Sequence, residues 1–283
     1  MRVKRTQAEQ LLCYKKLIAE LSVHGSTVMK HKKTRNLILA ACLASACGTA
    51  WGDTIFGLYG GVGHWYIDLQ GDVGQNGATT TLNDLGFENE NSNVFWLALE
   101  HPVPVIPNLR LMHSTISATE SSITSQSFII GGVLIDAQVQ VLTDTDLSHT
   151  DATFYYELLD NWVTFDLGIT ARFLEGYVEV QSELSQPARA TLEGVLPMAY
   201  ANLQLDFPGS GWRVGATAQG ITYRGDKMTD ASVRLGYSFE VTPLLDIGVN
   251  VGYRVLTLRA EKFDDLYADA KMSGTFAELV LHF

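Results

Sequence analysis

Cysteine is absent from everything after Cys47, because Cys13, Cys42 and Cys47 all fall within the first fifty residues. The remaining chain can hold no disulfide and no thiolate metal site. It also lacks any apolar run of 18 residues, and a membrane-spanning helix needs ~20. Basic residues are scarce in the same region. Nine of the 20 Lys/Arg but only two of the 31 Asp/Glu lie in residues 1–52, which leaves 11 basic and 29 acidic residues and a net charge of −18 for residues 53–283. So acidic a protein is no partner for nucleic-acid phosphates. The 231 residues concerned are enough for one domain.

The first 52 residues have a different character. Met29 is followed by Lys30, Lys32, Lys33 and Arg35, then by a 12-residue apolar stretch from Leu37 to Gly48, then by Ala50-Trp51-Gly52. A basic start, a short apolar core and a small-x-small site predict a secretory signal peptide over 29–52, cut after Gly52. Residues 1–28 are read as a mis-assigned start or an N-terminal extension. Leu39-Ala40-Ala41-Cys42 resembles a lipidation site, but the apolar run before it is too short; Cys47 is better spaced and lacks the usual leucine.

Period-two alternation dominates residues 53–283. Leu245, Ile247, Val249, Val251, Tyr253 and Val255 alternate with Asp246, Gly248, Asn250, Gly252 and Arg254. Such runs exceed the ~5–6 residues of a soluble sandwich strand and match the ~9–11 of a membrane strand. Short turns at 158–161, 208–211 and 242–243, with a proline-rich one at 101–108, alternate with mostly longer polar connections. The fold expected is all-β: a transmembrane antiparallel up-and-down β-barrel. Ten strands are predicted, near 54–69, 92–101, 108–118, 148–158, 162–180, 189–207, 212–225, 228–241, 244–260 and 267–283, with eight as the runner-up. The stretch 127–141 is strand-like as well and predicts a raised hairpin in the second outer loop. Trp162, Phe165, Phe207, Trp212, Phe239 and Phe283 gather beside the short turns, as an interfacial aromatic girdle would.

In such a barrel the apolar faces meet lipid and the polar faces converge inside. The lumen should then hold Glu100, Arg110, Glu157, Asp166, Arg172, Arg213, Arg234, Glu240, Asp246, Arg254, Glu278 and His282, together with Asp206, Gln219 and Asn250. A small barrel is just wide enough for its own side chains, so a narrow lumen filled by paired charges is expected. Glu100 and Arg110 flank one turn and are expected to pair across it.

The chain ends Ala277-Glu-Leu-Val-Leu-His-Phe283, with Leu279, Leu281 and Phe283 on one face. This resembles the closing strand of a bacterial outer-membrane barrel, whose terminal aromatic is read by the barrel-insertion machinery. Residues 53–63, with Gly60, Gly61 and Gly63, and the run Leu99-Glu-His-Pro-Val-Pro-Val-Ile-Pro-Asn-Leu-Arg110 resemble the "OMP with GlyGly" family of Gram-negative outer-membrane proteins. The resemblance runs through 53–283. It implies an outer-membrane location and contact with lipid and lipopolysaccharide, and it carries over no reaction, ligand or cofactor. Physically, the glycines remove bulk where a strand or an interior side chain approaches closely.

Some barrels are enzymes, with their catalytic groups at the outer rim. Ser148 and His149, with Asp146 and Asp151, are the candidates, but adjacent strand residues point to opposite faces and nucleophilic catalysis needs hydrogen-bond reach. No enzyme is expected. His64, His101, His113, His149 and His282 show no metal-ligand spacing. Acidic clusters at Asp84/Glu88/Glu90, Asp144/Asp146/Asp151 and Asp264/Asp265/Asp269 read chiefly as solvated faces, with divalent cations as candidate partners. A structural or interaction role is the leading expectation, a narrow channel or uptake protein for a small solute or apolar molecule the alternative, and an outer-rim hydrolase the third.

Overall fold

Alternating residues with few interior prolines build long strands, and the computed structural model contains fourteen strand segments; it describes residues 56–283 other than 224, 243, 264 and 265. The expected signal peptide at 29–52 and the segment 1–28 lie outside the described residues. The wall comprises β1 (Gly57–Gln75), β3 (Asn89–Glu100), β4 (Asn108–Ile123), β7 (Gln140–Asp146), β8 (His149–Asp160), β9 (Val163–Ser182), β10 (Ala188–Asp206), β11 (Trp212–Tyr223), β12 (Asp226–Thr242), β13 (Leu245–Phe263) and β14 (Leu266–His282). Three short strands, β2 (Ala78–Thr81), β5 (Phe128–Ile130) and β6 (Val133–Ile135), lie in the connections.

All wall pairings are antiparallel, and they close on themselves. Pairing runs from β1 through β3 and β4, then around to β14, which returns to β1 with Val62 opposite Leu279. β7 and β8 lie end to end between β4 and β9: Asp146 stands opposite Ser117 and Tyr177, His149 opposite Ser114 and Leu174. A belt around the wall therefore crosses ten chains, although the strand segments number more. Phe283 completes the seam, its N–H donating to the Leu58 carbonyl (2.9 Å) and its carbonyl accepting from the Leu58 N–H (3.2 Å).

Burial inverts partway along the wall. On β9, Leu167, Ile169 and Phe173 are exposed while Asp166, Thr170 and Arg172 are buried; further on, Glu175 and Gln181 are exposed while Leu174 and Val180 are buried. β1 does the same, with Leu58 and Val62 outside at one end, and Trp65, Ile67, Leu69 and Val73 inside towards the other. On β1 and β9 the side-chain phase does not slip; only the polarity of the two faces is exchanged. An apolar exterior needs lipid, and a polar exterior over an apolar interior needs water. A 20-residue strand such as β9 rises ~3.3 Å per residue, roughly 65 Å along its length. It outruns an apolar band ~25 Å tall even when tilted, so the wall stands well clear of the membrane at its loop end.

This inversion explains the differences from the predicted strands. β1 runs to Gln75 rather than 69, β4 to Ile123 rather than 118, and the fourth wall chain starts at Gln140 rather than 148, because the strands continue past the level where their outer faces turn polar. The expected raised hairpin exists as β5–β6, joined by Gly131-Gly132 with φ of 55° and 75°, the left-handed turn that suits a tight hairpin. It folds inward instead of rising. Phe128, Ile130 and Ile135 are fully buried and join Leu85 and Phe87 of the preceding connection in a core that fills the loop end of the barrel. Asp84 ties these two connections together by accepting from the Ser125 N–H (2.9 Å) and hydroxyl (2.5 Å). At the turn end, Trp162, Phe207, Trp212, Phe239 and Phe283 are exposed on one rim, and Phe165, also expected in the girdle, is half-buried.

Two outcomes test this architecture. Val251→Arg, on the exposed apolar face of β13, should destabilise the lipid-embedded barrel by ~2–4 kcal/mol, whereas Thr191→Arg, exposed on β10 beyond the inversion, should change it by less than ~0.5 kcal/mol. Urea unfolding in vesicles measures both, and equal effects would refute the inversion. Hydrogen bonds from Ser125 hold the Asp84 carboxyl below its ordinary value of 3.8. A lowered folded-state value makes the tie fully present above the ordinary value and lost as pH falls through the folded one. Hydrogen exchange in residues 124–139 should thus stay slow down to about pH 4 and quicken below it, and Asp84→Ala should quicken it at neutral pH.

Candidate functional site: a lumen divided into two chambers

Arg172 sits mid-strand on β9 and has no exposure at all. Its Nε and Nη2 donate to the two Asp151 oxygens, both at 2.7 Å, and Nη2 also reaches Asp230 Oδ2 at 2.7 Å. Arg254 grips Asp230 from the other side through Nε (2.9 Å) and Nη2 (2.6 Å). Gln219 donates to Asp151 Oδ2 at 2.9 Å, and its carbonyl accepts from Thr170 at 3.0 Å. Arg254 lies over the Trp65 ring, 4.6 Å from its centroid. These residues come from β8, β9, β11, β12, β13 and β1, so they form a layer across the lumen. Two acids and two bases make the layer neutral, and removing one member would strand a buried charge at ~3–5 kcal/mol.

On the turn side of this layer lies a polar chamber of about 260 Å³ lined by Glu100, Arg110, Glu157, Asp166, Arg213, Arg234 and Glu278. These lumen positions agree with the expected strand phase. The pairing does not follow expectation: among the described residues the interior ion pairs are Arg172 with Asp151 and Asp230, Arg254 with Asp230, and Asp246 with His282 (3.7 Å) at the turn-end rim. Arg234 is held instead by Thr217 (2.8 Å), Asn202 (3.0 Å) and Gln204 (3.1 Å). Glu100 does not pair with Arg110; its carboxylate accepts from the Tyr155 hydroxyl at 2.7 Å, while Arg110 stacks on Trp96 at 4.6 Å. Neutral groups on neighbouring strands lie closer than the opposite charges do. Glu240 is exposed and stands outside the network, because a register shift between Glu240 and Thr242 ends the regular wall there.

The glycine motif acquires a concrete role. Gly60 faces outward against Leu97, while Gly61 and Gly63 face the lumen. A Cβ on Gly61 would sit inside the Trp96 indole. That indole lies across β1, and its Nε1 donates to Glu278 of β14, whose other oxygen accepts from Asn250 at 2.9 Å. Leu279 and Phe283 are exposed and Leu281 half-buried on the outer face of the same strand, whereas Glu278 and His282 point in. Against His282 the Tyr59 ring stacks at 4.1 Å.

On the loop side of the layer lies a smaller chamber of about 70 Å³, walled by residues such as Leu69, Phe87, Leu174, Met228, Leu256 and Met272. This apolar space was not expected from the sequence. His149 lines it and is buried, with Nδ1 donating to the Leu147 carbonyl at 3.1 Å. The Ser148 hydroxyl accepts from the Ile116 N–H at 3.0 Å, and the Ser148 N–H donates to Asp146 at 2.8 Å. Serine and histidine are thus not brought together, and Asp151 belongs to Arg172. Asp230, the centre of the ion-pair layer, is not among the residues expected in the lumen, although it shares the inward parity of Arg234 on β12. Among the described residues no group of three or more His, Cys, Asp or Glu could hold a metal ion.

No protein-family profile matches the chain, and no curated protein does. Solved structures with similar shape include the outer membrane protease OmpT from Escherichia coli, at 9% identity and a TM-score of 0.42 over 83% of this chain and 99% of that one. The translocator domain of the autotransporter NalP from Neisseria meningitidis gives 12% and 0.41 over 89% and 95%. A Pseudomonas aeruginosa FadL homologue gives 11% and 0.33 over 81% and 90%. All are outer-membrane proteins, but likeness at these scores carries no argument about activity, and the barrel assignment rests on the closed pairing and the inverted burial.

The glycine geometry predicts a contrast between neighbours. Gly61→Val should displace Trp96 and lower the unfolding midpoint by about 1–3 kcal/mol of stability, while Gly60→Ala, meeting only the movable end of Leu97, should stay within ~0.5 kcal/mol. Denaturant titration followed by tryptophan fluorescence distinguishes them, and indifference of both sites would refute the role given to Gly61.

Proposed function

We propose that residues 53–283 form an integral outer-membrane barrel whose lumen is closed to diffusion and whose role is structural or one of interaction. The observation that supports this reading is the Asp151–Arg172–Asp230–Arg254 layer, whose four side chains are all buried and lie between two chambers. Exposed apolar residues around the turn half and the terminal Phe283 support the membrane location and delivery by the insertion machinery. The glycine pair, with Trp96 over Gly61, is in keeping with the "OMP with GlyGly" resemblance. Lipid and lipopolysaccharide are the partners this reading implies, with divalent cations at the acidic connections. Hydrolysis is not part of it, since Ser148 and His149 face apart.

A second reading, uptake of a small apolar molecule, is favoured by the apolar chamber on the loop side. It requires the ion-pair layer to part.

Planar-bilayer recording of the refolded protein tests the first reading. The barrel should show heat-modifiable migration on a denaturing gel and no stable single-channel steps at neutral pH. Reproducible unitary conductance would overturn the closed lumen.

A further inference from the structure

One side chain in the wall of the apolar chamber has a polar atom that the fold leaves without a partner. His149 is 3% exposed, and its Nε2 is buried with no hydrogen bond. The other ring nitrogen faces the Leu147 carbonyl at 3.1 Å. A carbonyl only accepts, so Nδ1 carries the proton, and the neutral ring presents Nε2 as a bare acceptor. A second N–H in its place would put a cation against leucine and methionine, with Arg172 and Arg254 as well as Asp151 nearby. Other polar groups of the lining are already engaged: the Thr145 hydroxyl donates to the Tyr177 carbonyl (3.0 Å) and the Tyr177 hydroxyl to Asp144 (2.8 Å), while Asp72 is half-buried. A lone water is a poor occupant, since ordered buried waters make ~3 hydrogen bonds and Nε2 offers one.

We propose that this chamber is a binding site for a small, mainly apolar molecule carrying a single hydroxyl donor, of the kind represented by phenol or a short-chain alcohol, with His149 Nε2 accepting that hydroxyl. An unsatisfied buried acceptor costs ~1–3 kcal/mol, and a donor from the ligand removes that cost. The chamber of about 70 Å³ is smaller than an apolar cavity of ~150 Å³ that admits benzene. Met228 and Met272 in its wall are the side chains most able to shift around a ring. Leu82 and Phe87 of the connection after β2 complete the wall, and the ion-pair layer lies beneath. The site rests on the closed-lumen reading only in that this layer forms its floor.

Phenol and toluene separate the hydrogen bond from the apolar contact, because they differ by a hydroxyl for a methyl. Both are titrated into the full barrel in detergent micelles, with the His149 Nε2 nitrogen-15 resonance as the site-specific signal. Phenol should bind saturably and shift that resonance. His149→Leu should weaken phenol about tenfold and change toluene less than about twofold, in line with the loss of one hydrogen bond from a buried site. Absence of saturable phenol binding, or equal effects of the substitution on both probes, would overturn the proposal. If His149→Leu lacks the heat-modifiable form, Ala190→Phe, which fills the chamber from β10, should abolish phenol binding; phenol retained there overturns it equally. Unitary conductance with intact phenol binding would fail the closed-lumen reading alone.

Discussion

The contact between Arg172 and the two carboxylates of Asp151 and Asp230 fixes the rest of the interior. Asp151 stands opposite Arg172 on the neighbouring β8, and Asp230 carries the contact across the lumen to β12, which β10 and β11 separate from β9. Its worth is not chiefly in net stability, since a buried ion pair roughly breaks even against apolar side chains of the same volume. Register is what it controls. A slip of one residue along β9 would turn Arg172 outward, against lipid, at ~2–4 kcal/mol, and would strand two carboxylates inside. The same layer decides what each half of the lumen can be. Water and polar side chains belong below it, and above it the space is dry enough for an apolar core.

Two solvents act on one continuous wall. Along β9 the inward set runs Asp166, Thr170, Arg172 and then Leu174, Val180, with the exterior changing from Ile169 and Phe173 to Glu175 and Gln181. Below the change the barrel is a membrane protein with its polar groups turned inside. Above it the same strands make an ordinary water-soluble β-structure whose core is closed by Phe87, Phe128 and Ile135. The inward-folded hairpin is required by that arrangement, because an apolar bore open at the top would expose its lining to water. Asp84 bridging to Ser125 holds the two covering connections against each other.

The strand phase, the ten-chain circumference and the inward placement of Glu278 and His282 were legible from period-two alternation counted back from Phe283. The upper half was not, because alternation distinguishes two faces without saying which solvent each one meets. Ile67 and Leu69 continue the parity of Gly61 and Gly63, and that continuity was the available signal: when the apolar set moves to the inner parity with no slip in phase, the membrane has ended. Partner choice was also hidden. Glu100 and Arg110 are close in sequence, yet Tyr155 from β8 satisfies Glu100, a contact decided by the barrel's cross-section. Asp230 shares parity with Arg234 and was readable as inward; its partnership with Arg172 depends on lumen width, which one strand does not encode.

Closure of the seam shows how local sequence meets this global geometry. Pairing Tyr59 with His282 joins the two ends of the wall, so it closes the longest loop in the fold and carries the largest closure entropy. Three features at that seam offset it. Phe283 exchanges two backbone hydrogen bonds with Leu58. Tyr59 stacks on His282 with planes only 3° apart. Trp96, reaching over the space that Gly61 leaves empty, donates to Glu278 and so fastens β3 to β14 across β1. A side chain at position 61 would remove the third of these by displacing Trp96. The glycine is therefore needed for what it lets a neighbour reach, and the last strand depends on it as much as on its own terminal aromatic.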